Sequence, residues 1–223
     1  KNSILQDYIK ECDEFYLNIP ELPFSNIWIA SQLADLIPSN SCIHFGILGS
    51  LRAWNFFRLP EGVESSSNVG GFGIDGGVST LIGASLVNSS KLYYGVFGDL
   101  AFFYDMNSLG NRHISNNLRI MLVNNGKGAE FRLYWHPAAA FKEDADAFMA
   151  AGGHFGNKSA NLVKHYAEDL GFEYICASSK EEFTNVYARF VNPKLTAKPI
   201  LFEVFTNSSD ENDALFTIRN MAE

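Results

Sequence analysis

The chain contains no run of about 18 uninterrupted apolar residues, so the sequence offers no membrane-spanning helix. It also lacks a basic start followed by an apolar stretch and a cleavage site, the pattern of a secretory signal. Basic residues are scarce: 17 Lys and Arg against 25 Asp and Glu leave a net charge of −8. A nucleic-acid partner, which needs clustered Lys and Arg against phosphates, is therefore not expected. One small anion at a local site is compatible with that balance, because backbone amides and a metal can supply the charge. Cysteine is scarce too. Cys12, Cys42 and Cys176 are widely spaced and make neither a zinc pattern nor a disulfide framework. The expectation is a reduced, cytoplasmic setting in which they pack as small apolar residues. His44, His113, His136, His154 and His165 are scattered, with no pair at ligand spacing on a helix.

What the chain does have is a repeated exchange of apolar runs and helical patterns. Strands are expected at 42–48, 92–97, 118–123, 173–177 and 200–205. Helices are expected at 27–37, 77–87, 101–111, 144–151, 159–170 and 180–191, with a short final helix after the polar stretch 207–213. Residues 1–24 read as a lead-in that ends at Pro23, before a plausible helix cap at Ser25-Asn26. Short strands separated by helices imply crossover units. The expected fold over 25–223 is therefore a three-layer α/β/α domain around a mostly parallel sheet covered on both faces. With Lys1 rather than Met at the start, the expectation is a segment of a longer, multidomain chain.

In such a sheet ligands gather beyond the carboxyl ends of the strands. Three polar, glycine-rich turns are expected along that edge. Gly98-Asp99 follows the strand at 92–97, and Asn124-Asn125-Gly126-Lys127-Gly128 follows the strand at 118–123. The third, Asn68-Val69-Gly70-Gly71-Phe72-Gly73-Ile74-Asp75-Gly76, precedes the helix at 77–87. One helix and one strand separate Asp99 from Asn125, which puts both side chains on the same edge in neighbouring loops. A carboxylate, an amide oxygen and a nearby carbonyl are hard ligands suited to Mg²⁺, which keeps other positions for water or phosphate oxygens. The helix beginning near Ala101 would add amides facing an anion, and Gly98, Gly126 and Gly128 would allow close backbone approach.

Gly-Asp followed about 25 residues later by Asn-Asn resembles the signature of the thiamine diphosphate-dependent enzymes, here Gly98-Asp99 and Asn124-Asn125. Leu100 stands where many members have Gly. Together with the 68–76 string and Gly98 to Asn107, it is most similar to the branch containing the menaquinone-pathway synthase. That enzyme decarboxylates 2-oxoglutarate and adds the succinyl unit to isochorismate. The resemblance implies a thiamine diphosphate- and Mg²⁺-binding domain from the C-terminal part of such a chain. It implies Asp99, Asn125 and the carbonyl of Lys127 as metal ligands. It further implies cofactor contacts from Gly73, Ile74, Gly98, Asp99, Leu100, Ala101, Asn125, Lys127 and Gly128, with Ile74 as the wedge that holds the cofactor bent. The acid that works beside the pyrimidine ring would come from a pyrimidine-binding domain of a second subunit, in a homodimer or homotetramer. No second glycine-rich α/β domain is present here, so the chain alone is expected to be inactive, with no catalytic residue of its own.

The likeness breaks where substrate would be read. Val69 replaces the arginine of an Asn-Arg-Gly, and Leu48 replaces a serine in the segment that keeps Arg52. Glu130-Phe131 replaces an apolar pair. Arg52, Glu130 and Phe131 are thus candidate substrate residues, and the small 2-oxo acid substrate is expected to differ from that of the menaquinone synthase. Two alternatives remain open: a non-catalytic module that kept the fold, and a dinucleotide-binding oxidoreductase domain. The latter rests on Gly71-Phe72-Gly73-Ile74-Asp75-Gly76, which spells the nucleotide motif but follows Glu64-Ser65-Ser66-Ser67, a poor buried strand.

Overall fold

A computed structural model of the chain describes residues 3–148 and 158–221. Six strands form one sheet: β1 (Cys42–Phe45), β2 (Glu64–Ser67), β3 (Tyr93–Gly98), β4 (Leu118–Asn124), β5 (Glu173–Ala177) and β6 (Ile200–Phe205). Their order is β2-β1-β3-β4-β6-β5, and every neighbouring pair is parallel. The sheet is thus wholly rather than mostly parallel. Parallel neighbours need crossover connections, and these carry helices. α1 (Ser3–Leu17) and α2 (Asn26–Leu33) precede β1; α3 (Gly49–Trp54), α4 (Gly77–Ser85), α5 (Asp99–Asp105), α6 (Leu162–Asp169) and α7 (Lys180–Phe190) lie in the crossovers; and α8 (Ser208–Asn220) follows β6.

Side-chain alternation divides each central strand between two cores. Phe45, Tyr94, Val96, Met121, Val123, Phe202 and Val204 join α2, α3, α7 and α8 on one face. Tyr93, Phe97, Leu118, Ile120, Leu122 and Leu201 join α4, α5 and α6 on the other. The three-layer α/β/α expectation holds. The central strands are apolar on both sides, which is why they read as unbroken hydrophobic runs.

Several boundaries differ from the sequence reading. The helix expected at 27–37 ends as an α-helix at Leu33 and tightens into a 3-10 turn over Ala34–Leu36. Ser25 is its cap, with Oγ accepting from the Trp28 amide at 3.2 Å. The helix expected at 101–111 starts earlier, at Asp99, and runs as 3-10 turns over Met106–Gly110. Pro137–Phe148 is a series of 3-10 turns broken at Lys142, so no α-helix begins at 144. The rest of that expected helix, and His154, lie outside the described residues. The lead-in contains α1, none of whose residues is buried. Leu22 belongs to the core nonetheless. β2 is an exposed edge strand, so its serines never needed an apolar pattern.

The chain leaves β1 through α3 on one face and leaves β3 through α5 on the other. Adjacent strands whose connections diverge open a crevice at their carboxyl ends. The β1/β3 junction is that switch point.

Candidate functional site

A cavity of about 180 Å³ lies at this switch point. Ile47 to Ser50 line it from beyond β1, Gly98 to Ala101 from beyond β3, and Asn125 and Lys127 to Phe131 from beyond β4. Ile74 reaches it from the 68–76 segment. The structure therefore brings Ile74, Gly98, Asp99, Leu100, Ala101, Asn125, Lys127, Gly128, Glu130 and Phe131 to one place. Gly73 and Arg52 do not line it: Gly73 flanks Ile74 in sequence, and Arg52 lines a smaller adjoining cavity.

Asp99 is the first residue of α5 and only 2% exposed. Its Oδ1 accepts from the Leu100 amide at 2.7 Å, and its Oδ2 accepts from the Gly126 amide at 2.6 Å. Burial pushes its carboxyl up to about 7, while backbone donors from Leu100 and Gly126 pull it back toward the charged form. The second contact ties the β3 exit directly to the β4 exit. Gly126 can make that turn because its φ of 83° lies in the left-handed region that glycine adopts without penalty.

The two asparagines have different tasks. Asn124 is buried, and its Nδ2 donates to Glu203 Oε1 at 2.7 Å. Its Oδ1 accepts from the Gly126 amide at 3.1 Å. Glu203 is a carboxylate in the middle of β6, facing the α4–α6 side, and Tyr174 donates to its other oxygen at 2.7 Å. Burial raises the Glu203 carboxyl above the usual range. Asn125, in contrast, borders the cavity and its Oδ1 accepts from the Lys127 amide at 3.2 Å. One asparagine fixes the loop through a buried carboxylate while the other lines the cavity.

Sequence reasoning passed over Glu203 and Glu211. The signal for Glu203 was a lone carboxylate inside the apolar run 200–205. Glu211, in the first turn of α8, lines the cavity; its two oxygens each accept from the Asn26 amide at 3.1 Å, and Oε1 accepts from the Thr206 hydroxyl at 2.7 Å. Burial pushes its carboxyl up to about 7. Only its place in a polar stretch marked it in the sequence. Leu48, which also lines the cavity, is held at φ 64° and ψ −113°, a conformation side-chain-bearing residues rarely take.

The oxygen donors here suit a hard divalent cation. Asp99 contributes a carboxylate and Asn125 an amide oxygen, the donor types such an ion takes. Among the described residues no three His, Cys, Asp or Glu side chains converge on a metal position, so any ion here would depend on this mixed set. With seven residues, α5 is too short to supply a strong dipole, and the amides of Gly126 and Lys127 are already engaged by the Asp99, Asn124 and Asn125 side chains. A Cβ added at Gly98 would meet no atom of this chain within 4 Å, and its φ of −72° requires no glycine.

The dinucleotide alternative finds no support in this geometry. β2 sits at the sheet edge, and Gly70 and Gly71 are exposed in the long 68–76 loop that joins it to α4, rather than in a tight strand-to-helix turn.

No family model matches the chain. Curated relatives do. A 2-succinyl-5-enolpyruvyl-6-hydroxy-3-cyclohexene-1-carboxylate synthase of Bacteroides fragilis is 33% identical over 207 residues, covering 92% of this chain and 36% of the relative. The synthase of the same name from Bacteroides thetaiotaomicron is 30% identical over 208 residues, 93% of this chain and 35% of the relative. That of Christiangramia forsetii is 33% identical over 201 residues, 90% and 33% respectively. The chain is a homologue of these synthases across the matched segment. It spans about a third of their length. Among the described residues, no helix is long and apolar enough to cross a membrane.

Proposed function

We propose that this chain is the diphosphate- and Mg²⁺-holding domain of a thiamine diphosphate-dependent carboligase or decarboxylase acting on a 2-oxo acid. The observation that carries the reading is the buried Asp99 carboxylate beside Asn125 and the 126–128 loop at the switch point of the sheet. Asp99, Asn125 and the Lys127 carbonyl would hold the metal. A buried carboxylate pushed up to about 7 gains most from a cation placed against it. Gly98, which neither conformation nor packing demands, leaves room for a bound group to approach the backbone. Ile74 would support the cofactor from the side opposite the loop. When bound, thiamine diphosphate supplies the carbon nucleophile and the electron sink for decarboxylation.

This chain's own residues bind and orient. Leu48, Ile74, Leu100 and Phe131 make the cavity wall apolar and keep water from the reacting atoms. The acid beside the pyrimidine ring belongs, in this reading, to a pyrimidine-binding domain of a second subunit, in a homodimer or homotetramer. The synthase name of the relatives supports a carboligation as the reaction class of the full protein. The substitutions at Val69, Leu48 and Glu130 argue for a donor or acceptor other than those of the menaquinone route.

The test is calorimetric titration of thiamine diphosphate into the protein with and without Mg²⁺. Binding should require the metal, and Asp99→Ala should weaken it by at least about a hundred-fold, as loss of a direct ligand does. Metal-independent binding of equal strength, or an unaffected Asp99→Ala variant, would remove the basis for this assignment.

A further inference from the structure

Arg52 and Glu130 are 78 positions apart in sequence, yet they form one closed pair beside the cavity. Arg52 Nη1 donates to Glu130 Oε2 at 2.9 Å, and Nη2 donates to Oε1 at 3.2 Å. This is the two-pronged geometry with which a guanidinium binds any carboxylate. Their side chains are 25% and 24% exposed, so the pair is largely removed from solvent. Arg52 comes from α3, beyond β1, and Glu130 from the 3-10 turn Ala129–Arg132, beyond the β4 loop. Glu130 and Gly49 border both the 180 Å³ cavity and the small cavity that Arg52 lines.

Resting on the function proposed above, we infer that Glu130 is the specificity-determining residue, an internal carboxylate that occupies the Arg52 guanidinium and excludes substrates carrying a second carboxylate. The donor is then a 2-oxo monocarboxylic acid whose far end is uncharged and apolar. Three observations converge. An incoming carboxylate could take Arg52 only by displacing Glu130, leaving that acid without its partner in a three-quarters buried position. The exchange gains no net ion pair and adds a like charge. Glu211, a further acid, lines both cavities. Beside its polar groups the cavity carries aliphatic and aromatic side chains, Ile47, Leu48, Leu100 and Phe131, against which an alkyl end can pack.

The experiment uses the full-length protein, with glutarate as a probe of the second-carboxylate position, titrated in the absence of thiamine diphosphate. Wild type should bind glutarate weakly. Glu130→Gln should bind it about ten- to a hundred-fold more tightly, the gain of freeing one charge-assisted contact. Arg52→Gln combined with Glu130→Gln should abolish the gain. In the cofactor-loaded enzyme, Glu130→Gln should lower KM for 2-oxoglutarate relative to 2-oxobutanoate by a similar factor. Glu130→Ala serves as a second variant, with thermal melting to establish folding. Equal glutarate affinity in wild type and both Glu130 variants overturns the inference, as does a gain that survives loss of Arg52. Failure of thiamine diphosphate to bind, with the glutarate gain present, would overturn the cofactor reading and leave the Glu130 gate standing. Cofactor binding without the glutarate gain would do the reverse.

Discussion

Residues 124–128 and residues 68–76 are both polar and glycine-rich, and both approach the same cavity. In the first, Asn124 is anchored by Glu203, and Gly126 is pinned by Asp99 and Asn124 together. In the second, the fixed points are Asn68 Nδ2 on the Gly76 carbonyl at 3.3 Å and on Thr80 Oγ1 at 3.0 Å. Between them Val69 is 50% and Phe72 68% exposed, and Phe72 holds a φ of 55°. The β4 loop is completed by the chain's own buried groups. The 68–76 segment presents apolar side chains outward and has few bonds inside the chain. The proposed function accounts for that contrast: the metal would be held within this chain, and the cofactor ring would meet a second surface.

The sharpest test compares the two asparagines. Asn124→Ala leaves the Glu203 carboxylate and the Gly126 amide short of a buried partner, and should cost about 2–3 kcal/mol in urea unfolding. Asn68→Ala loses part-exposed bonds and should cost under about 1 kcal/mol. Equal losses would erase the distinction between a locked loop and an open one.

A pH series probes the anchor itself. The Glu203 carboxyl is raised in the folded protein by burial, so the unfolded chain, near the ordinary value of about 4.3, ionises first. As pH rises above that value, ionisation favours the unfolded state until the folded-state carboxyl also loses its proton. Glu203→Gln does not titrate. Its stability relative to wild type should therefore improve as pH is raised above about 4. Asp99 and Glu211 are present in both proteins, so their effects largely cancel in the difference. A pH-independent difference would mean that Glu203 ionises normally and does not carry the loop in the manner described.

The smallest effect is expected at Phe72. Phe72→Gly relieves a positive φ and removes an exposed ring while loosening the unfolded chain, and should change stability by no more than about 0.5 kcal/mol. Loss of self-association in sedimentation by the same variant would identify this segment as a contact surface. A destabilisation of several kcal/mol would show that it packs inside the chain instead.

Much of the fold was legible because the physics that made it is local. The runs at 92–97, 118–123 and 200–205 are strands buried on both faces, and such strands have few polar residues to interrupt them. The turns after β3 and β4 were legible because glycine, Asp and Asn cluster where the chain leaves a sheet. Long-range partnerships were not. Nothing near Arg52 announces Glu130 as its partner, though both were read as candidate substrate residues. Arg119 was hidden in the same way: it is fully buried within β4, donating to the carbonyls of Phe190, Asn192 and Lys194 and to the Tyr94 hydroxyl. A cation in an apolar run gives no local sign of which backbone oxygens it will satisfy. α1 carries an apolar stripe at helical spacing, Ile4, Leu5, Tyr8, Ile9, Cys12, Phe15 and Tyr16, which the reading of 1–24 as a lead-in passed over; none of its residues is buried.

The outermost strand, β2, has a further consequence for how copies of the protein behave toward one another. It is four residues long, bears Glu64 and three serines, and presents one side of its backbone to no other strand of the sheet. Such an open side is a template on which a neighbouring chain can add a strand, and sheets that tolerate it tend to aggregate. Shortness, polarity and a charge at the first position make β2 a poor template. The Lys91 ammonium, held by Glu64 at 2.9 Å, adds a second charge at the same end. The features that made this strand hard to recognise in the sequence are the ones that let a large parallel sheet stop growing at its own boundary.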